Sequence, residues 1–461
     1  MKPKLNLSFE DAGTDSIELS FSDLDDFHPD HLFSEVSLFR KLRNTRKKLQ
    51  NRNTFDEAAA QVYQWLGEPK TKEVEPKKQV EVAQQQKGEM NLDDVLNATL
   101  QQSDSELGIS KGSSGESRLD ESKLNQSRMA RSLIAKVIGP YVIPKSDPRV
   151  TELTEAVDLA IANLMRLILH HPAFVALEAS WLSLYSMVKE IETDSKLVID
   201  IWSVSFSDLV ADLSTDDDLT KTQFYKKTVQ ETIQTAGASP YNLMLGLYQI
   251  QDDEEACATL GRVANICAQS NTAFITNADW SLLGVENPCR KIDTDSFLSA
   301  LKQGSPLANS PWASLRSLPA SEFLGLTFPR YAIRYPYGKK SSPIETFQFQ
   351  ELMEQEEHKG IAWGFGCVAV GILLAKSFRE IGKQFSPGEI STFQKVPTLL
   401  VEDEGGTITY PQAEFWMYES LAEAISQLGL IPIWSIKNDE GVFVRPFDSF
   451  HVNRNTIKGG W

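Results

Sequence analysis

The sequence predicts a mixed α/β (α+β) fold, in which a helical N-terminal region precedes a mixed, partly parallel sheet covered by helices. Apolar residues first recur at helical spacing over residues 25–65. Two long helical patterns then meet at residues 170–172, and apolar β-branched runs alternate with helical patterns between residues 196 and 278. Strands that alternate with helices favour a parallel sheet buried on both faces.

Composition excludes several classes of function. The 461 residues carry a net charge of −17, which repels phosphate backbones and anionic membranes, so we expect no nucleic-acid partner. No uncharged apolar run of about 18 residues occurs and no signal peptide is recognised, so we expect a cytoplasmic protein without membrane insertion. The four cysteines form no C-x-x-C pair and predict buried thiols rather than disulfides or zinc ligands.

The first elements are short and the helices that follow are amphipathic. KLNLSF is an extended run and IELSFSDL has the alternation of a short strand. In DDFHPDHLFSEVSLFRKLRNTRKKLQ, Leu32, Val36, Phe39 and Leu42 recur at helical spacing, while basic residues crowd the later turns. Those basic residues form either a solvated face near a helix C-terminus or a docking surface for an acidic partner. TFDEAAAQVYQWLG predicts the next helix, capped by Thr54 and stopped at Gly67.

Residues 68–88 lack the apolar side chains needed to offset ordering entropy and predict a linker. MNLDDVLNATLQQ, Met90–Gln102, then predicts a lone amphipathic helix, followed by a Ser- and Gly-rich stretch. Its apolar stripe consists of Leu92, Val95, Leu96 and Leu100. Such a helix is either a satellite of the main core or a linear motif for the groove of another protein.

The main folded body begins near Ser146 with two long helices. The first predicted helix ends at His170 and His171, and Pro172 begins the second. The second carries an apolar face that we expect to be buried, so that Trp181→Ala costs about 3–5 kcal/mol. That face consists of Phe174, Leu177, Trp181, Leu184 and Tyr185.

The two adjacent histidines pose the question of a metal or catalytic site. Consecutive residues on a helix point about 100° apart, and no further ligand follows at metal-binding spacing. His170 and His171 are therefore predicted to form a helix-to-helix corner. The stretch Asp25 to His31 offers carboxylates and imidazoles too, but its proline and aspartates favour helix capping over a metal cluster.

Beyond the corner, strands and helices alternate. KLVIDIWSVSF, YNLMLGLYQI and TAFITNAD predict buried strands, with helices between them. EFLGLTF, YAIRYPYG and LIPIWSI add further mixed structure. Gly364, Gly366 and Gly371 lack the spacing of a dinucleotide loop, and Ala362 to Leu374 predicts a tightly packed buried helix instead. No phosphate-loop, nucleophile-elbow or metalloprotease motif is present, so we expect no catalytic residue, no cofactor and no metal.

Several segments resemble the large sheath subunit of bacterial type VI secretion systems, the TssC family, and they occur in the same order as in that family. They span about residues 146–433 and are ILHHPAFVALEASWLSLYSMV, LVIDIWSVSFSDLVADL, SPYNLMLGLYQI, NTAFITNADWSLLG, PWASLRSLPASEFLGLTFPRYAIRYPYGKKSSPIETFQFQE, GIAWGFGCVAVGILLAKSFREIG and LAEAISQLGLIPI. IELSFSDLDDFHPDHLFSEVSLFRKLRNTRKKLQ resembles instead the second half of the small sheath subunit, the TssB family. The chain is thus similar to a fusion of the two.

The resemblance implies a domain organisation. Residues 1–67 are a TssB C-terminal-like helical segment, 68–88 a flexible linker, 89–145 a TssC N-terminal-like helix with a Ser/Gly-rich stretch, and 146–461 a TssC-like α/β body. These parts correspond to the middle and outer layers of a sheath protomer, without the strands of the inner layer. We therefore expect a truncated sheath-like protein that remains a monomer or small oligomer when purified.

The resemblance also implies function and partners. The expected protein is a non-enzymatic structural or regulatory component of a type VI secretion apparatus that binds sheath or baseplate proteins. The alternatives are a divergent, shortened sheath subunit that polymerises with a separate partner and, more remotely, an enzyme on a recycled scaffold. In the TssC family an amphipathic helix near the N-terminus is recognised by the disassembly ATPase ClpV, so Leu92, Val95, Leu96 and Leu100 are the expected ClpV-binding residues.

Overall fold

The computed structural model describes residues 2–9, 16–51, 53–65, 149–285, 294–339, 341–352, 361–403, 406–435 and 441–461. The chain forms two compact units. Unit 1 comprises Met1–Phe174 and Ile344–Phe349, and unit 2 comprises Val175–Pro343 and Gln350–Trp461. Each unit has its own core.

Unit 1 combines a strand pair with four helices. Strands β1 (Lys4–Ser8) and β2 (Ser16–Ser20) pair antiparallel, and a 3₁₀ turn covers Leu24–Phe27. The helices are α1 (Pro29–Glu35), α2 (Ser37–Leu49), α3 (Phe55–Trp65) and α4 (Arg149–Leu169). The predicted helical spacing of Leu32, Val36, Phe39 and Leu42 is confirmed, because all four side chains are buried.

A short segment from far along the chain completes unit 1. The Asp30 carboxylate accepts hydrogen bonds from the backbone N–H groups of Glu345 and Thr346, at 3.2 and 3.1 Å. The ring of Phe347 stacks on Phe33 with centroids 4.5 Å apart. The guanidinium of Arg166 lies 5.5 Å from the centroid of Phe349. Residues 344–349 are thus held by one carboxylate and two aromatic contacts.

Unit 2 is built around a six-stranded mixed sheet with the order β3-β4-β5-β11-β12-β8. Strands β3 (Leu243–Ile250), β4 (Ala273–Ala278), β5 (Leu324–Phe328) and β11 (Leu430–Ser435) are parallel neighbours. Strands β12 (Gly441–Val444) and β8 (Thr392–Gln394) extend the sheet antiparallel. Two small antiparallel pairs lie outside it: β6 (Tyr331–Ala332) with β7 (Trp363–Gly364), and β9 (Leu400–Asp403) with β10 (Gly406–Thr409). The predicted mixed, partly parallel sheet is confirmed.

Helices cover both faces of this sheet. They are α5 (Pro172–Glu190), which begins in unit 1, α6 (Phe206–Ser214), α7 (Gln223–Tyr225), which continues into a π-helical turn, α8 (Glu254–Ser270), α9 (Thr294–Gly304), α10 (Trp312–Ser317), α11 (Gly366–Ile381) and α12 (Glu419–Gln427). Successive strand residues point to opposite faces, so Phe274 packs in the core that contains α8, and Ile275 packs in the core that contains α11.

Glycine lets α11 approach the sheet closely. A Cβ added at Gly371 would lie 2.5 Å from Cδ1 of Leu245, and one at Gly366 would lie 2.7 Å from Oγ1 of Thr327. This close packing agrees with the prediction for Ala362 to Leu374. The predicted start of the helix is wrong, because Trp363 and Gly364 pair with β6 and the helix begins at Gly366.

Two predictions about the start of unit 2 are wrong. Among the described residues, the backbone from Val198 to Val204 makes no backbone-to-backbone hydrogen bond, so KLVIDIWSVSF is extended chain and not a strand. Three of its apolar side chains pack on the cores, Leu197 and Ile199 on one and Trp202 on the other. The face of α5 expected to be buried is only half covered, since Trp181 is partly buried and Tyr185 is 51% exposed.

Among the described residues no single helix has the length and apolar composition needed to cross a membrane. One bent pair, α4 with α5, meets that test by length and composition when the two are taken together.

Candidate functional site

The residues predicted to bind ClpV cannot be placed by the structure. Leu92, Val95, Leu96 and Leu100 lie outside the described residues.

The two histidines form a corner, as predicted. The backbone N–H of His170 donates to the carbonyl of Arg166 at 2.8 Å and so belongs to the last turn of α4. His171 caps α5, because its Nδ1 accepts a hydrogen bond from the N–H of Ala173 at 3.2 Å. Its Nε2 lies 3.2 Å from the carbonyl of Ser8, and its ring contacts Phe9 edge to face. Both nitrogens of His171 therefore have structural partners.

The acidic and histidine-rich stretch before α1 is a pair of helix caps. Asp23 and Asp26 form a reciprocal capping box at the 3₁₀ turn. His28 caps α1, its Nδ1 accepting from the N–H of Asp30 at 3.2 Å, and Pro29 occupies the first helical position. The capping interpretation of Asp25 to His31 is thus confirmed by these contacts.

A metal would need ligands that converge, and the described part of the chain contains no group of three His, Cys, Asp or Glu side chains arranged to hold one. We expect that EDTA leaves the melting temperature of the protein unchanged, because a structural metal contributes a large share of folding free energy. Differential scanning fluorimetry with and without EDTA measures this. A fall of several degrees that zinc reverses would contradict the corner role of the two histidines.

The carboxyl ends of the parallel strands are the place where open α/β sheets bind ligands. Here this edge is filled by the side chains of the protein itself. Oδ1 of Asn277, on β4, accepts hydrogen bonds from the backbone N–H of Cys367 at 3.0 Å and from the hydroxyl of Thr327, on β5, at 2.9 Å. Its Nδ2 donates to the carbonyl of Tyr248, on β3, at 2.8 Å.

The same contacts occupy the N-terminus of α11, where a phosphate or another anion would bind in a nucleotide-binding fold. Asn277, Thr327 and Cys367 are all fully buried. Burial also raises the pKa of the Cys367 thiol to about 12, which suppresses the nucleophilic thiolate. The edge therefore forms a closed polar network that ties three strands to a helix.

A buried ion cluster lies elsewhere in unit 2. The guanidinium of Arg334 binds two carboxylates, with Nε 2.7 Å from Oε1 of Glu178 and Nη1 2.9 Å from Oε2 of Glu351. Both carboxylates are almost fully buried. Burial alone lowers the pKa of Arg334, but the two carboxylates outweigh that effect and hold the pKa well above its usual value. The cluster also involves Tyr337, whose N–H donates to Glu351 and whose ring lies 4.3 Å from the guanidinium.

Arg330 forms a second cluster, with Glu414. Its Nη2 lies 2.7 Å from Oε1 of Glu414, and its backbone N–H donates to Oε2 at 3.0 Å. The indole N–H of Trp280 reaches the same carboxylate at 3.4 Å. Sequence reasoning missed both clusters. The available signal was two arginines four residues apart in the otherwise apolar and aromatic run PRYAIRYPYG.

Unit 2 also exposes apolar side chains in its first segments. Tyr185 and Val188, near the end of α5, are 51% and 57% exposed, and Val198 is 68% exposed on the extended chain that follows. Ile201 and Val204 are exposed on the same extended chain. Large apolar side chains exposed on two consecutive segments are candidates for burial against another protein.

Comparison with known proteins relates these features to a family. A family model described as the tail sheath N-terminal domain (VipB, EvpB/VC_A0108) matches residues 151–451. The type VI secretion system sheath protein TssC1 of Pseudomonas aeruginosa is 27% identical over 300 residues, which cover 63% of this chain and 59% of the relative. The chain therefore spans less than two thirds of the length of that curated relative. The region matched by the family model includes the corner, the filled sheet edge and the two ion clusters.

Proposed function

We propose a function that rests on one premise. This chain belongs to the VipB family of tail sheath proteins, whose N-terminal domain model matches residues 151–451. We propose that it is a non-enzymatic structural or regulatory component of a type VI secretion or related contractile apparatus. In this proposal it acts in the cytoplasm through interfaces with sheath or baseplate proteins. The similarity to a type VI secretion sheath protein supports the choice of apparatus.

The filled edge of the sheet is the observation that supports a non-enzymatic role in this proposal. An enzyme on an open α/β sheet needs a crevice at the carboxyl ends of the strands. In this chain Asn277, Thr327 and Cys367 occupy that place and satisfy one another's hydrogen-bonding groups. The exposed apolar side chains of α5 and of the following extended chain support a role in protein assembly.

Co-expression with the sheath subunits of the same apparatus tests this function. We expect the tagged full chain to retain the sheath subunits through an affinity column, and to show no turnover in a broad hydrolase panel. The matched control is the same chain with Val188→Asp and Val198→Asp, which place charges on the exposed apolar surface of unit 2. Sheath subunits that fail to copurify with the unaltered chain, or reproducible turnover that follows the protein through purification, would contradict the proposal.

A second candidate is a shortened sheath subunit that polymerises with a separate partner. The apolar exposure at Val188, Val198 and Ile201 also favours it, because a subunit of a polymer must bury such surfaces against neighbours. Electron microscopy separates the two candidates. Regular tubes formed from this chain and one partner support the polymerising subunit, whereas capture of preformed sheath or baseplate proteins without tubes supports the regulatory component.

The ClpV interaction is a further proposal, derived from the sequence and from the resemblance. A peptide spanning residues 88–104 should bind the N-terminal domain of the cognate ClpV, and Leu96→Asp should weaken binding at least tenfold by placing a charge in an apolar groove, roughly the effect of an unpaired buried charge. Isothermal titration calorimetry measures both. Asn97→Asp is the matched control, because it adds the same charge beside the stripe of Leu92, Val95, Leu96 and Leu100. Absence of binding in the micromolar range would remove ClpV from the partners, and equal affinities for the two variants would contradict the role of the apolar stripe.

A further inference from the structure

Helix α5 has an apolar face that the described residues leave exposed. Ala179 and Met187 pack in the core of unit 2 that contains α11. On the opposite side of the helix Tyr185 and Val188 are 51% and 57% exposed, and Trp181 is partly buried. Positions 181, 185 and 188 follow one face for about two turns, or roughly 10.5 Å. These three side chains are the α5 stripe.

A positive charge borders the α5 stripe. Nζ of Lys189 lies 5.9 Å from the centroid of the Tyr185 ring. The Lys189 side chain is exposed, and it forms no ion pair in the parts of the chain that the structure describes. An occupant that matches this surface therefore combines a row of apolar side chains with a carboxylate beside them.

The chain itself contains a segment with both properties. Residues 90–102, MNLDDVLNATLQQ, lie outside the described residues, and their sequence predicts an amphipathic helix. On a helix its apolar positions would extend over about 12 Å, close to the length of the α5 stripe. Asp93 and Asp94 supply charge opposite to that of Lys189. The apolar positions are Leu92, Val95, Leu96 and Leu100.

The length of the connecting chain also selects this segment. The 46 residues from 103 to 148 join it to Arg149, where α4 begins. A coil of that length has an r.m.s. end-to-end distance of roughly 35–40 Å, which is comparable with the size of a domain. Tethering of this kind gives an effective concentration on the order of 1 mM. A second copy of the chain at micromolar concentration is far more dilute, so the tethered segment is the favoured occupant.

We propose that residues 90–102 dock as a helix on the α5 stripe of the same chain. Docking removes the apolar side chains of both helices from water and brings Asp93 or Asp94 close to Lys189. The contact needs no partner protein, so it does not rest on the proposed function. One consequence does: because one apolar face cannot occupy two grooves, docking competes with the ClpV interaction proposed above.

Hydrogen–deuterium exchange of the full chain, read by mass spectrometry, tests the docking. A free peptide of residues 88–104 is the unprotected reference, because an isolated helix of this length is marginal in water. We expect the amides of residues 90–102 to exchange at least about tenfold more slowly in the full chain than in the peptide, since docking stabilises the helix. The protection should not change when the protein is diluted about tenfold, because the contact is intramolecular.

Two variants place a charge in the contact, one on each side. Val188→Asp and Leu96→Asp should each return the exchange of residues 90–102 to the rate of the free peptide. Val452→Asp is the matched control for the first, because Val452 is a valine of unit 2 with similar exposure, 53%. Asn97→Asp is the control for the second, because it adds the same charge outside the apolar positions. Unchanged exchange in the rest of unit 2 shows that Val188→Asp is folded.

Three outcomes would overturn the proposal. The first is exchange of residues 90–102 in the full chain at the rate of the free peptide, and the second is protection that survives Val188→Asp. The third is protection that disappears on dilution, which would assign the α5 stripe to a second copy of the chain. Neither sheath subunits nor ClpV are present in this experiment. Failure of the docking and failure of the proposed function, which copurification measures, are therefore distinguishable.

Discussion

Replacing Arg334 with alanine should lower the free energy of unfolding of unit 2 by about 3–5 kcal/mol, the usual cost of breaking a buried ion pair from one side. The change leaves Glu178 and Glu351 buried without the guanidinium that they share. Urea denaturation at pH 7, followed by tryptophan fluorescence, measures the loss. We expect a loss of this size because the ion cluster is buried.

Arg379→Ala is the matched control. Arg379 also binds two carboxylates, Glu192 at 3.2 Å and Asp194 at 2.6 Å, but this group lies at the surface. Its removal should leave the urea midpoint unchanged within error, since water solvates the separated charges.

The Arg334→Ala defect should also depend on pH. Without the guanidinium, a buried carboxylate binds a proton more readily in the folded state than in the unfolded state. Stability is therefore regained as the pH falls, and the defect at pH 5 should be smaller than at pH 8. A defect that is equal at the two pH values, or a variant as stable as the unaltered chain, would contradict the role of this cluster.

Trp312→Ala should cost about 3–5 kcal/mol, as expected for truncating a buried tryptophan. The side chain is 1% exposed, packs edge to face on Phe450 with centroids 6.3 Å apart, and donates its indole N–H to Asp252. Its loss leaves a cavity in the core that contains α8. The midpoint of urea unfolding, converted through a common m-value, reports the cost.

Trp181→Ala is the comparison for this prediction. The sequence predicts the full cost of a core truncation for Trp181, but the structure leaves Trp181 partly exposed on α5, so its truncation should cost clearly less than that of Trp312. If Trp181→Ala proves as damaging as Trp312→Ala, the face of α5 is buried in solution, for example by self-association.

The sequence was sufficient to predict features that depend on the residues of a single helix or strand. The helical spacing of Leu32, Phe39 and Leu42 predicts one buried face, and the apolar run TAFITNAD predicts a buried strand, which the structure forms as β4. Helix capping in the stretch Asp25 to His31 and the corner at His170 and His171 were also predictable, because both depend on residues that are neighbours in sequence. These features do not depend on the rest of the fold.

The incorrect and missing predictions have a different physical origin. The run KLVIDIWSVSF has the composition of a strand, but composition measures apolar burial and not backbone pairing, and pairing depends on which chain lies alongside. The predicted burial of the α5 face was wrong for a related reason, because elements distant in sequence decide whether an apolar helix face is covered. The Arg334 cluster joins residues 178, 334 and 351, whose proximity no local pattern encodes.

The place of residues 344–349 in unit 1 has a consequence during synthesis of the protein. A ribosome that has translated unit 1 up to Phe174 has not yet made the segment that pairs with Asp30, Phe33 and Arg166. At about 5–20 residues per second, that segment follows about 9–35 s later. During this interval Phe33 lacks its stacking partner Phe347, so unit 1 completes its aromatic core only after most of unit 2 has been synthesised.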